Sequence, residues 1–322
     1  MGAGSVPGVD VGQGISFAKQ LEMDRVPGPA GSGRYQVDVS ADWNCPIVPQ
    51  GGVMAALAAR AMALELAGPD ADATDVPLRT LTTVFAAPVP AGPVEIDVTV
   101  LRRGRSLSQA RADVRTPGAE VGHSVVAVFG RDRVGFAFTD GAMPEVPSPE
   151  DCPSFRDSPP DEFAAQREDR PDFVFWEKIE GKPALGHAPW EDYVPATSAC
   201  ATWMRFEEPP FRPDGTLDPL MPVVFCDTMP GSVSERMGPG TPWFMPPSAD
   251  LTVHVFADPR SEWLLAHYRA HRAGGGYATA SVDIWDPDPA VGLVARGTQV
   301  MLILFPGDPP PPERRVPSDE RP

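Results

Sequence analysis

With 322 residues the chain has room for two hydrophobic cores of ordinary size, and two domains is the expectation. Its 27 basic against 44 acidic residues leave a formal charge of −17, which repels a phosphate backbone and argues against nucleic acid as a partner. The 41 prolines and 30 glycines gather at the two ends and in the middle, where they predict tails and a connection.

No apolar run approaches the ~20 residues of a membrane helix. The opening stretch from Met1 to Val6 lacks the basic and apolar pattern of a signal peptide. Cys45, Cys152, Cys200 and Cys226 are widely spaced with no C-x-x-C pair, so neither a zinc site nor a disulfide framework is indicated. A Walker motif, a complete G-x-G-x-x-G and a Gly-x-Ser-x-Gly elbow are all missing. The expected setting is the reducing cytoplasm, with no cofactor.

In chain order, Ile15 to Met23 can form a short first element, and Tyr35, Val37 and Val39 alternate with polar residues at the period of a half-buried strand. Gly51-Gly52 then opens a helical run, Val53 to Ala67, in which only Arg60 and Glu65 are charged; Gly68-Pro69 stops it. A helix so apolar all round must be covered all round. The strands that follow, Leu78 to Ala86, Val94 to Leu101, Ser106 to Val114 and Ser124 to Phe129, are the expected wrapper.

From Asp132 to Asp172 the chain turns acidic and proline-rich, as a connection does. The second half starts near Phe173 and offers a strand, Ala199 to Phe206, and a helix slot, Pro219 to Met237, in which Pro222 suits the first turn and Pro230 ends or kinks the helix. Strands Leu251 to Phe256, Trp263 to Arg272, Tyr277 to Trp285 and Gly292 to Leu304 follow.

These elements repeat. Val84-Phe85-Ala86-Ala87-Pro88 and Val255-Phe256-Ala257-Asp258-Pro259 each lead into a long alternating stretch, broken by Gly104 in one copy and by Gly274 to Gly276 in the other, where a hairpin turns. The fold class is α+β: two antiparallel curved sheets, each wrapping a central helix, a double hotdog. The expected division is an N-terminal segment 1–34, a first domain 35–135, a connection 136–172, a second domain 173–306 and a tail 307–322.

Several segments resemble the bacterial acyl-CoA thioesterase II family, whose chains are two hotdog domains in tandem. They are Gln50-Gly51-Gly52-Val53, the stretch Leu101 to Ser108, the stretch Ala249 to Phe256 followed by Glu262-Trp263-Leu264-Leu265, and Leu293-Val294-Ala295 with Gln299 four residues on. The resemblance implies an acyl-CoA substrate and hydrolysis by activated water. It makes Asp250, at a second-half strand start, the general base and Gln299 a holder of the water. The family's third polar residue is a Thr, and the matching position falls nearest His271.

Thioester hydrolysis asks little of a protein. The leaving thiol has a pKa near that of free Cys, about 8.5, so a base for the water and donors for the oxyanion suffice. Gly51 and Gly52, at a helix start with free N–H groups, suit the second task or close helix packing. Arg103, with Arg102 and Arg105, is a candidate for the coenzyme A phosphates, and Trp243 for the acyl pocket wall. Asp227, among Val223, Val224, Phe225 and Met229, is a costly charge unless paired, and a candidate helix-end hydrogen-bonding group.

Asp250, Thr252 and His254 share one strand face, an acid–base pairing of the hotdog hydratase kind, but the Gly-Asp-x-Asn-Pro-x-His loop of that group is missing. The competing functions are therefore a non-catalytic acyl-thioester-binding double hotdog and, behind it, an enoyl-CoA hydratase. Double hotdogs can also pair into symmetric homo-oligomers.

Overall fold

The computed structural model describes residues 14–29, 31–68, 77–157, 173–188 and 191–307. The expectations for residues 1–13, for the end of the connection at 158–172 and for the tail from 308 lie outside the described residues. The first half runs α1 (Phe17–Gln20), β1 (Asp24–Val26), β2 (Gly33–Val39), α2 (Gly51–Ala67), β3 (Leu78–Phe85), β4 (Gly92–Arg102), β5 (Leu107–Arg115) and β6 (His123–Gly130). The second runs α3 (Phe175–Lys178), β7 (Ile179–Leu185), β8 (Ala199–Phe206), α4 (Met221–Cys226), α5 (Gly231–Met237), β9 (Asp250–Val255), β10 (Leu264–Gly274), β11 (Tyr277–Trp285) and β12 (Leu293–Leu302).

All twelve strands join one antiparallel sheet in the order β1-β2-β4-β5-β6-β3-β9-β12-β11-β10-β8-β7. The order read from either end is the same, six strands per half, so the duplication is structural. The halves meet edge to edge where β3 pairs with β9, from Thr80 opposite His254 to Val84 opposite Asp250. Each long hairpin also carries a bulge at the same place, after Val100 on β4 and after Ala270 on β10. That shared irregularity fixes the register of one half on the other.

The Val-Phe pairs that reveal the repeat in sequence are one residue out of phase in space. Val84 is 48% exposed whereas Val255 is 6% exposed. Side chains alternate with period two, so a one-residue offset sends each pair to opposite faces.

Helix α2 packs on β3, β4, β5 and β6 on one side and on α4 on the other. Its apolar circumference is thereby used: Val53 through Ala59, Met62 and Leu66 are buried. Each large side chain among them contributes about 1.5–3 kcal/mol of transfer free energy. Arg60, the polar interruption, pairs with Asp218. The matching helix of the second half is split, because Pro230 has no N–H for a helical bond and caps a new helix instead. The split leaves Asp227 as the C-terminal cap of α4.

The two outer faces differ. The cross-strand row Trp203, Leu265, Trp285 of the second half corresponds by register to Gln36, Glu95, Arg115 of the first. In the first half this surface is an ion network in which Arg34 and Arg115 both bind Asp97. In the second it is apolar and is covered by Met143, Val146 and Cys152, with the Trp203 indole donating to the carbonyl of Pro147 at 2.9 Å. The first part of the acidic, proline-rich stretch is thus built onto the second half.

Candidate active site

A hydrogen-bonded cluster of polar side chains lies where the start of α2 meets the end of α4. Asp227 Oδ1 accepts from Gln299 Nε2 at 2.6 Å and from Ser248 Oγ at 2.9 Å, while Oδ2 accepts from the Gly52 N–H at 3.0 Å. Gln299 Nε2 also donates to Ser248 Oγ. Four chain segments far apart in sequence supply these groups.

Each placement has a local cause. Asp227 is presented by the Pro230 break. Gln299 points inward on β12, level with Ala280 across the strand pair, and is 3% exposed. Ser248 is held by the stretch before β9, which runs antiparallel to the end of β12 through bridges from Ser248 to Met301 and from Met245 to Leu304. Gly52 opens α2, where Gln50 caps by accepting from the Val53 N–H at 2.9 Å and donating to the carbonyls of Val224 at 3.0 Å and Asp227 at 2.9 Å.

Two opposed effects set the charge of Asp227. The residue keeps some exposure, but crowding of the carboxylate by protein atoms disfavours the anion. The Ser248 hydroxyl, the Gly52 and Gly51 N–H groups and the Gln299 amide favour it. Burial wins, and the carboxyl is pushed up to about 6. The N-terminus of α2 holds a negative charge at that spot through its free N–H groups and dipole.

The glycines are needed for this approach. A Cβ on Gly51 would come within 2.7 Å of both Asp227 Oδ2 and the Phe85 ring, and one on Gly52 within 2.8 Å of the Val223 carbonyl. Phe85, with His123 edge-on to it at 4.9 Å, walls the cluster from the first half. The remaining acceptor is Gln299 Oε1, which is buried and has no hydrogen-bond partner within the described protein.

Of the residues expected from sequence, Gln299, Gly51 and Gly52 come together here and four others do not. Asp250 lies on the opposite face of the sheet, because Leu251, Val253 and Val255 between and beyond its neighbours are the ones buried. Its carboxylate accepts from the Val300 N–H at 2.7 Å, a strand-start cap. His271 sits at the β10 bulge, exposed, bonded to Ser281 Oγ at 2.8 Å. Arg103 donates to the carbonyls of Glu65, at 2.9 Å, and Leu66. It caps the far end of α2, which at 17 residues puts about 25 Å between it and Gly51.

Trp243 is half-buried in the segment between α5 and β9, outside the bonded cluster. The residues missed at the sequence level are Ser248 and, as the centre of the site, Asp227. For Asp227 the signal was present: a carboxylate among apolar residues, next to a helix-breaking proline.

Among the described residues the site is found once. By register the counterpart of Gln299 is Ala127, paired with Ala110 as Gln299 is with Ala280. The counterpart of Asp227 in α2 is Leu57, since α2 and the split helix start and stop at matching positions. The second half brings the polar side chains, and the first brings the helix start that faces them.

A model of the acyl-CoA thioesterase N-terminal domain matches residues 39–130 and one of the C-terminal domain matches residues 149–303. Among solved structures, a conserved hot dog-fold protein from Alicyclobacillus acidocaldarius is 24% identical, with 90% of this chain and 98% of that one covered and a TM-score of 0.69. Acyl-CoA thioesterase II TesB2 from Mycobacterium marinum is 22% identical, with 91% and 99% covered and a TM-score of 0.64. The tesB protein of Mycobacterium avium subs paratuberculosis is 20% identical, with 91% and 98% covered and a TM-score of 0.64. No curated protein matches the chain. With both halves matched in order over most of its length and the double hotdog built from twelve strands, the chain belongs to the acyl-CoA thioesterase family.

Proposed function

We propose that the protein hydrolyses acyl-CoA thioesters to a free acid and coenzyme A, with Asp227 as general base. The observation that carries this reading is the cluster of Asp227, Ser248 and Gln299 against the start of α2, with Asp227 pushed up to about 6. A base of that strength is ionised at neutral pH and still holds a proton well enough to take one from water. Ser248 supplies the hydroxyl of the polar set, and Gln299 Oε1 supplies the acceptor that orients the water.

In the reaction a water O–H bond breaks and its proton passes to Asp227 while the oxygen bonds the thioester carbon. The carbonyl electrons move onto oxygen. When the tetrahedral intermediate collapses the C–S bond breaks, and the sulfur keeps the pair and takes the proton from Asp227. One negative charge is present throughout, first on the carboxylate and then on the oxyanion, beside the same positive helix end. The thiols coupled to Asp227 offer no competing nucleophile: Cys45, pushed up to about 12, and Cys226 are both raised by burial and by that carboxylate.

His254 and His271, the histidines nearest a hydratase reading in the sequence, are exposed on the outer face and at the bulge, outside the Asp227 cluster. The four cysteines are free, and among the described residues no helix is long and apolar enough to cross a membrane. Thiol release from a series running from acetyl- to palmitoyl-CoA tests the function. Turnover with at least one chain length is expected; binding without thiol release across the series would make this an acyl-thioester-binding protein instead.

A further inference from the structure

We propose that Gln50 is a positioning residue for the reaction: by tying the start of one repeat's helix to the end of the other's, it holds Asp227 in register with the Gly51 and Gly52 N–H groups. The proposal rests on Asp227 being the base. Gln50 is 4% exposed and makes three hydrogen bonds, one as acceptor and two as donor. Its Oε1 satisfies the Val53 N–H in the first turn of α2. Its Nε2 satisfies two carbonyls at the end of α4, one of them that of Asp227 itself.

An amide alone serves both ends. A carboxylate has no donor for the carbonyls, a hydrocarbon satisfies neither end, and Asn is one methylene shorter. The bond to the Asp227 carbonyl fixes the main chain from which the carboxylate projects, and so the 3.0 Å approach of Oδ2 to the Gly52 N–H. The side chain touches no reacting atom, since all its polar atoms are engaged with the backbone. The corresponding position before α4 is Leu220, so the amide is found only in the repeat whose helix start faces the carboxylate.

The test compares Gln50→Leu, Gln50→Glu and Asp227→Asn with wild type by thiol release across pH, with thermal melts to verify folding. Gln50→Leu is expected to lower kcat about 100-fold with KM within about threefold, since a shift of about 1 Å at a catalytic group costs that much. Gln50→Glu keeps the cap on Val53 but adds an anion beside Asp227, and its acid limb of kcat/KM is expected to move up by about one pH unit.

A wild-type kcat in Gln50→Leu, or a wild-type acid limb in a folded Gln50→Glu, overturns the positioning role, and so does a loss that appears in KM alone. If Gln50→Leu does not fold, Gln50→Glu decides. Retained turnover in Asp227→Asn would instead remove the base assignment beneath the proposal, so the two failures are told apart.

Discussion

Replacing Asp227 by Asn is expected to stabilise the protein at alkaline pH. The carboxyl is raised from 3.8 to about 6 because burial disfavours its anion. At about 1.4 kcal/mol per pKa unit, keeping it ionised costs the fold about 3 kcal/mol, a ceiling because the residue retains some exposure. The folded-state value lies above the unfolded one, so the favourable contribution is complete below about pH 4 and is lost as pH rises through about 6.

Asn carries no such charge, but its NH2 turns one acceptor toward Ser248, Gln299 or Gly52 into a donor, a loss of about 1 kcal/mol at every pH. Urea unfolding of both proteins between pH 4 and 8.5 isolates the titration as a difference. The variant is expected to gain about 2–3 kcal/mol relative to wild type between the two ends of that range and to level off above pH 7. A difference that stays constant with pH, or one that grows in favour of wild type as pH rises, refutes the charged, desolvated carboxylate.

Two glycine variants separate catalysis from packing. Gly51→Ala brings its methyl against movable ends, the Asp227 carboxylate and the Phe85 ring, so kcat is expected to fall at least about tenfold with stability reduced by less than about 1 kcal/mol. Gly52→Ala presses on the backbone of Val223 and Val224, and a denaturation curve is expected to show a loss of about 1–3 kcal/mol, as overpacked cores do; equal effects of the two changes would contradict the geometry. Arg103→Ala removes a cap from the C-terminus of α2 and is expected to cost about 1 kcal/mol in melting experiments. It should leave kcat/KM for acyl-CoA unchanged, and a raised KM would return Arg103 to the phosphates.

The elements were legible because their patterns are local. The apolar run of α2, the alternation of β11 and the proline at 230 each announce their structure within a few residues, and the glycine-turned hairpins expose the duplication. The edge strands β1 and β7 are short and mixed in composition, and neither stands out. The apolar outward positions Trp203, Leu265 and Trp285 could have been read as a second buried face, but only with the strand register known.

The site was harder because its members belong to different elements. Asp250 and Asp227 are both carboxylates in the second half, and family likeness favoured the one beside a recognisable strand. Asp227 caps a helix end, whereas the face on which Asp250 projects turns it away from the cluster, and in a strand a single residue decides that. Arg103 is a similar case: a basic hairpin suggests a phosphate contact, and its bonds to the carbonyls of Glu65 and Leu66 show only with the helix end beneath it. Ser248 carries no pattern at all, being one hydroxyl after two prolines, and only its pairing beside β12 gives it a role.

The most direct measurement places Asp227→Asn and Asp250→Asn side by side in a thiol-release assay near pH 8, each with its circular dichroism melt. Loss of at least about 1,000-fold in kcat is expected for the first, and wild-type kcat with a small loss of stability for the second. Full turnover in Asp227→Asn together with an inactive, folded Asp250→Asn would contradict Asp227 as the base.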